Sequence, residues 1–82
     1  MVNDCRCDFN LLESIDVSKC PDLTLLVCSD NNLQPKLDVS QNKKLSMINC
    51  SNNPYLTELI INKNHAIKGI DKDPQTQLVL SD

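Results

Sequence analysis

The chain has 82 residues, a net charge of −3 and 40% hydrophobic residues, which suits one small folded domain. It has no basic stripe and no run of about 18 apolar residues, so we expect neither nucleic-acid binding nor membrane insertion. No signal peptide is evident at the N-terminus. With one glycine, the sequence offers little support for tight hairpins, and with two aromatic residues it predicts an aliphatic core.

An internal repeat starts at Val2 and recurs at Leu23, Leu45 and Ile67, at intervals of 21, 22 and 22 residues. The copies follow the pattern L-x-x-L-x-C-x-x-N-x-L, as in LTLLVCSDNNL and LSMINCSNNPY. A period of about 20 to 29 residues is typical of a stacked solenoid, in which each repeat forms one coil. We therefore predict a single domain over 1–82, with coils at 2–22, 23–44, 45–66 and 67–82.

A weaker copy of the motif lies inside each unit, about half a period later. These half-units read IDVSKC from Ile15, LDVSQN from Leu37 and LIINKN from Leu59. Their alternation of apolar and polar residues predicts a short strand on each side of every coil, with little or no helix. At the end of the array, Leu78, Val79 and Leu80 are expected to cover the last coil as a C-terminal cap.

Residues that recur with the coil period should stack into columns about 4.8 Å apart and form a narrow core. The inward positions are Cys5, Leu26, Ile48 and Ile70; Cys7, Cys28, Cys50 and Lys72; and, in the half-units, Ile15, Val17, Leu37, Val39, Leu59 and Ile61. Leucines at the first position, together with Leu12, Leu33 and Tyr55, are expected to close the corners.

Amide side chains recur where each coil should turn a corner. Backbone groups in a buried corner have no strand partner, and an asparagine side chain can supply both donors and an acceptor. We therefore assign a structural role to Asn10, Asn31, Asn53 and Gln75, and to Asn42 and Asn64 in the half-units.

The run from Leu23 to Asn64 resembles the leucine-rich repeat family, most closely its nested-period bacterial subclass of internalin-like proteins. The resemblance extends over residues 2 to about 77. It implies a right-handed leucine-rich repeat solenoid of parallel strands. It also implies a non-enzymatic protein-binding scaffold within a secreted or surface-attached bacterial protein.

The five cysteines and the acidic residues are the candidates for metal binding, disulfides and catalysis. The spacing of Cys7, Cys28 and Cys50 equals the coil period and favours burial in the core over a zinc site, whose cysteines usually come as close pairs. A disulfide is a further alternative, and Cys20, at a corner, is the most reactive candidate thiol. We expect no catalytic residues, no metal and no cofactor.

The outward positions of the first strands suggest a partner-binding surface formed by Leu25, Val27, Met47 and Asn49. Adjacent exposed apolar residues tend to mark interaction sites, although strands also favour such residues without any partner. Our first hypothesis is therefore a protein partner for this surface. The alternative is a structural unit that self-associates through an uncapped N-terminal coil, because Val2 already occupies the first position of the repeat.

Overall fold

Seven short strands wind into two parallel sheets in the computed structural model, which describes residues 4–6 and 11–81. The first sheet has the order β1-β2-β4-β6 and the second β3-β5-β7, and the described residues contain no helix. The predicted solenoid of parallel strands is confirmed. The strands are β1 (Asp4–Arg6), β2 (Leu25–Val27), β3 (Lys36–Asp38), β4 (Met47–Asn49), β5 (Glu58–Asn62), β6 (Gly69–Asp71) and β7 (Gln77–Ser81).

The register of the first sheet reproduces the sequence repeat. Asp4 pairs with Leu25, Leu25 with Met47, and Met47 with Gly69, which are steps of 21, 22 and 22 residues. Equivalent residues of successive coils therefore lie beside one another, as the repeat predicts. This register determines which side chains share a row on the surface of the sheet.

The second sheet is less regular at its end. Lys36 pairs with Glu58, a step of 22 residues, whereas Glu58 pairs with Gln77, a step of only 19. The segment expected to cover the last coil takes the form of β7, which pairs with all five residues of β5. Leu78 and Leu80 are 43% and 60% exposed, because no later strand of the described chain lies over them.

The predicted strand at 15–17 is absent. These residues form no ladder with β3, so the second sheet begins one coil later than expected. Val17 is still buried, and its carbonyl oxygen accepts a hydrogen bond from Asn42 Nδ2 at 2.8 Å. At residues 15–17 this side-chain bond links the coil to the next one, in addition to the backbone pairing of β1 with β2.

The core consists of stacked columns of inward residues, as predicted. Each three-residue strand places its middle residue inward, and the flanking residues point outward. Ile70 departs from this prediction, because it lies in the edge strand β6 and remains exposed. Cys7 lies outside the described residues. The columns consist of Leu26, Ile48, Cys28 and Cys50 in the first half of the coils, and Val17, Leu37, Val39, Leu59 and Ile61 in the second half.

The first-position leucines Leu23 and Leu45 are buried as predicted, but two of the three residues predicted to close the later corners were wrong. Leu33 is buried, but Leu12 is exposed and Tyr55 is 61% exposed. Leu56 takes the corner position, because a turn in which Leu56 N donates to Asn53 O at 3.0 Å brings this side chain inward. The same turn, one residue longer than the repeat pattern suggests, leaves Tyr55 in solvent.

Asn53 shows what the buried amides do. Its Nδ2 donates to the carbonyl oxygens of Cys28, Cys50 and Ser51 at 3.0–3.1 Å, and its Oδ1 accepts from Leu33 N at 3.1 Å. These bonds join two coils at a corner where no strand ladder reaches. The predicted structural role of this asparagine is confirmed.

The other amides follow this pattern with one exception. Asn31 accepts from Leu12 N, and Asn42 donates to the carbonyl oxygens of the preceding coil. Gln75 is exposed and donates to Asn53 O. The assignment of Asn64 was wrong: Asn64 is exposed, and the buried residue is Asn62, which donates to Ser40 O. Asn10 lies outside the described residues.

Asn53→Ala is expected to lower the free energy of unfolding by ~2–4 kcal/mol, because in a buried corner it removes the acceptor of Leu33 N and a donor to the carbonyl oxygens of Cys28, Cys50 and Ser51. Asn64→Ala is the matched control, and should change stability by less than about 0.5 kcal/mol because Asn64 is exposed. Urea unfolding followed by circular dichroism measures both. Equal midpoints for the two variants would contradict the role of the buried amides.

Candidate functional site

The four residues predicted to bind a partner lie together on the outward face of the first sheet. The pleat points Leu26 into the core, so Leu25 and Val27 face outward on β2. Parallel pairing then places Met47 beside Leu25, and Asn49 beside Val27. Neighbouring strands are about 4.8 Å apart, so side chains in one row touch across the sheet.

These four residues line one shallow groove of about 300 Å³. The other lining residues are Ile48, Gly69, Ile70 and Asp71, which extend the groove onto the edge strand β6. Gly69 and Asp71 are not among the residues that the sequence predicted for this site. One sequence feature could have indicated Gly69: it is the single glycine of the chain, and the repeat aligns it with Met47.

Met47 and Gly69 shape the centre of the groove. Met47 is 55% exposed, and its side chain leans over the position next to it on β6. A Cβ added to Gly69 would lie 3.5 Å from Met47 Cε and 3.7 Å from Met47 Cγ, which is ordinary van der Waals contact. The missing side chain of Gly69 therefore leaves a notch beside the Met47 thioether.

The polar rim of the groove is formed by Asn49 and Asp71. Asn49 Oδ1 accepts hydrogen bonds from Ser51 N at 3.2 Å and from Ser51 Oγ at 2.8 Å. Its oxygen is thus used within the chain, and its amide nitrogen is the group it presents to a partner. Asp71 is exposed beside it and adds a negative charge at the last strand.

A second carboxylate, Asp73, lies further along the same coil. Its two oxygens accept hydrogen bonds from Asn52 N and Asn53 N, both at 2.9 Å. Burial alone would raise the pKa of Asp73, but these two N–H groups and the Gln75 amide outweigh it and lower the pKa below 3.8. Asp73 is therefore ionised at neutral pH and serves the corner of the preceding coil.

The cysteines take structural positions. Cys28 and Cys50 are fully buried free thiols, and burial raises the pKa of the Cys50 thiol to about 11, so it is protonated at neutral pH. Cys5 and Cys20 are also free and half-buried. A low pKa and exposure make a cysteine reactive, whereas Cys28 and Cys50 are buried and the pKa of Cys50 is raised.

No metal cluster forms among the residues that the structure describes: no three His, Cys, Asp or Glu side chains lie close enough to hold an ion. Asp16 and Asp38 are exposed, and each accepts a hydrogen bond from the backbone of a serine two residues later. The described ranges also contain no helix long and apolar enough to cross a bilayer. His65 is exposed at a corner, where its Nδ1 accepts from Ile67 N.

Comparison with known proteins returned no matching family model, no matching curated protein and no matching solved structure. The chemistry that the geometry of the site offers is an apolar groove with an amide and a carboxylate at its rim.

The lowered pKa of Asp73 predicts a pH-dependent contribution to stability. A carboxylate with a depressed folded-state pKa stabilises the fold above its unfolded pKa, and this contribution is lost as the pH falls through the folded pKa. Asp73→Asn should therefore unfold at lower urea concentration than the wild type at pH 7, with a gap that closes below pH 3.8. Asp30→Asn is the control for the loss of one negative charge. A difference in urea midpoint between Asp73→Asn and the wild type that stays constant across the pH range would contradict this role.

Proposed function

We propose that the chain is a protein-binding repeat module that contacts its partner through the groove on the first sheet. The observation that carries this proposal is the exposed apolar group formed by Leu25, Val27 and Met47, which the register brings together around one groove. Contiguous exposed apolar surface is costly in water and tends to mark interaction sites. The role is non-enzymatic, since the groove offers one amide and one carboxylate at its rim.

The repeat pattern supports assigning the chain to the leucine-rich repeat family. The motif L-x-x-L-x-C-x-x-N-x-L recurs with the period of the solenoid, and its inward leucines and asparagines occupy the core and the corners. This resemblance also suggests a secreted or surface-attached bacterial protein. A binding role then follows from architecture, because stacked coils display the outward rows as one extended surface.

Selection from a displayed library of random peptides against the immobilised chain tests the binding role. Individually synthesised peptides from the selection should bind the double variant Leu25→Asp/Met47→Asp at least about tenfold more weakly than the wild type, measured by calorimetry. Ile60→Asp is the matched control, since Ile60 faces outward on the second sheet. Circular dichroism confirms that all three proteins are folded.

Binding that survives in the double variant would contradict the proposal, as would a selection that enriches no peptide. A loss of affinity in Ile60→Asp equal to that in the double variant would also count against it. In that case the substitutions act through stability or charge and not through the groove.

A second role, as a self-associating structural unit, is favoured by the exposed end of the core. Leu78 and Leu80 would each be covered if another strand stacked on β7, as β7 itself covers Leu59 and Ile61. Both β6 and β7 are edge strands, and edge strands offer unpaired backbone groups. At the other end Cys5 and Ile15 are half-buried, so a second copy could stack on either end.

Light scattering over a concentration series separates this role from the first. A self-associating chain should rise in average mass above 9.2 kDa with concentration, and Leu80→Glu should hold it at 9.2 kDa because a charge would be buried at the contact. A wild-type mass that stays at 9.2 kDa to the highest concentration would exclude the second role.

A further inference from the structure

Gly69 is the only glycine of the chain, and the fold does not require a glycine there. Its φ is not positive, while the two described residues with positive φ are Asp30 and Asn52, at 58° and 56°. A Cβ on Gly69 would make ordinary contacts with Met47 and clash with nothing. A glycine inside a strand weakens it, because more backbone freedom is lost on folding than for alanine.

The consequence of this glycine lies at the surface. One row across the sheet consists of Leu25, Met47 and Gly69. The first two residues have large side chains and Gly69 has no side chain, so the groove deepens into the notch beside Met47. A volume of about 300 Å³ corresponds to roughly ten water molecules of liquid, which is room for a side chain and its flanking backbone. The groove is therefore suited to a short segment of a partner.

The walls and the rim determine the chemistry of that segment. Leu25, Val27 and Met47 are apolar, and among the described residues that line the groove Asp71 is the single ionisable one. Within the described part of the chain no ion pair involves Asp71, and the chain as a whole carries a net charge of −3. Charge complementarity therefore favours a cationic group on the partner.

The spacing along β6 adds a geometric constraint. Gly69 and Asp71 are two residues apart on one strand and face the same side, at a separation of about 6.6 Å. An extended partner segment presents alternate side chains on one face with this same spacing. A side chain seated in the notch thus places the residue two positions away over Asp71.

We propose that the notch at Gly69 receives one aliphatic side chain of an extended partner segment. A lysine or arginine two residues away in that segment then pairs with Asp71. This proposal rests on the proposed binding role of the first sheet. The recognised pattern is an aliphatic residue, any residue, then a basic residue. The absent side chain of Gly69 supplies selectivity for the aliphatic group, and Asp71 supplies selectivity for charge.

Three blocked peptides serve as probes: Thr-Leu-Thr-Lys-Thr, the same peptide with glutamate for lysine, and the same peptide with alanine for leucine. The chain has two methionines, so labelling the methionine methyl groups gives a simple spectrum in which Met47→Leu assigns the signal of the notch. The leucine–lysine peptide should shift the Met47 signal with the highest affinity. Gly69→Val should lower the affinity for this peptide about tenfold or more, because the valine side chain fills the notch. Asp71→Asn should remove the preference for the lysine peptide over the glutamate peptide.

Gln77→Val is the matched control, because it adds a valine at the outward position of the last coil on the second sheet. Gly69→Ala tests separately whether the fold requires a glycine at position 69. The melting temperature of this variant should rise by about 2–8 °C, because alanine fits there and reduces the freedom of the unfolded chain. A lower melting temperature would show that the fold needs the glycine and would overturn the proposal.

Three other results would overturn it. One is a Gly69→Val variant that binds the leucine–lysine peptide as tightly as the wild type does. Another is a wild type that binds the lysine and glutamate peptides with equal affinity, or binds neither of them. The third is a Met47 signal that moves with protein concentration alone, which places a second copy on this surface. Library-selected peptides that lose binding in Leu25→Asp/Met47→Asp but not in Gly69→Val would leave the proposed function standing and reject the notch.

Discussion

The structure depends on hydrogen bonds that buried asparagine side chains make at the corners of successive coils. Strands of three to five residues cover only part of each coil, and outside them single backbone bonds such as Asp30 N to Ser51 O join neighbouring coils at intervals. Asn53 and Asn42 each donate to carbonyl oxygens of the preceding coil, so they hold two coils at one spacing. Each such group left unpaired in a buried corner would cost about 1–3 kcal/mol, which is more than a typical hydrogen bond contributes. These amides therefore act together with the strand pairs in setting how the coils stack, and hence the shape of the surface.

The narrow core follows from the same short strands. A three-residue strand points one residue inward, so each column is a single side chain wide, as Leu26 and Ile48 show. Small thiols such as Cys28 and Cys50 continue these columns where a coil bends towards its corner. A column can be covered only by the next coil, which is why the inward residue Ile70, in an edge strand, is exposed.

The two candidate surfaces of the molecule differ in the chemistry by which they would select a partner. The face of the first sheet presents side chains, and its apolar walls and acidic rim favour a partner with matching side-chain size and charge. The ends of the solenoid present strand edges and stacked leucines, which suit the end of a second copy of the chain. A binding module uses the first kind of surface, and an assembly unit uses the second.

The repeat in the sequence predicted the parallel strands, the inward columns and the outward rows, because residues that recur every 21 or 22 positions must stack in one register. It could not predict whether Tyr55 or Leu56 turns inward, since neighbouring residues at a corner differ only in the turn that the chain adopts there. The groove likewise needed the tertiary structure. The sequence alone determined that Met47 and Gly69 are neighbours, and only the packing of the Met47 side chain over the missing Cβ decided that a notch lies between them.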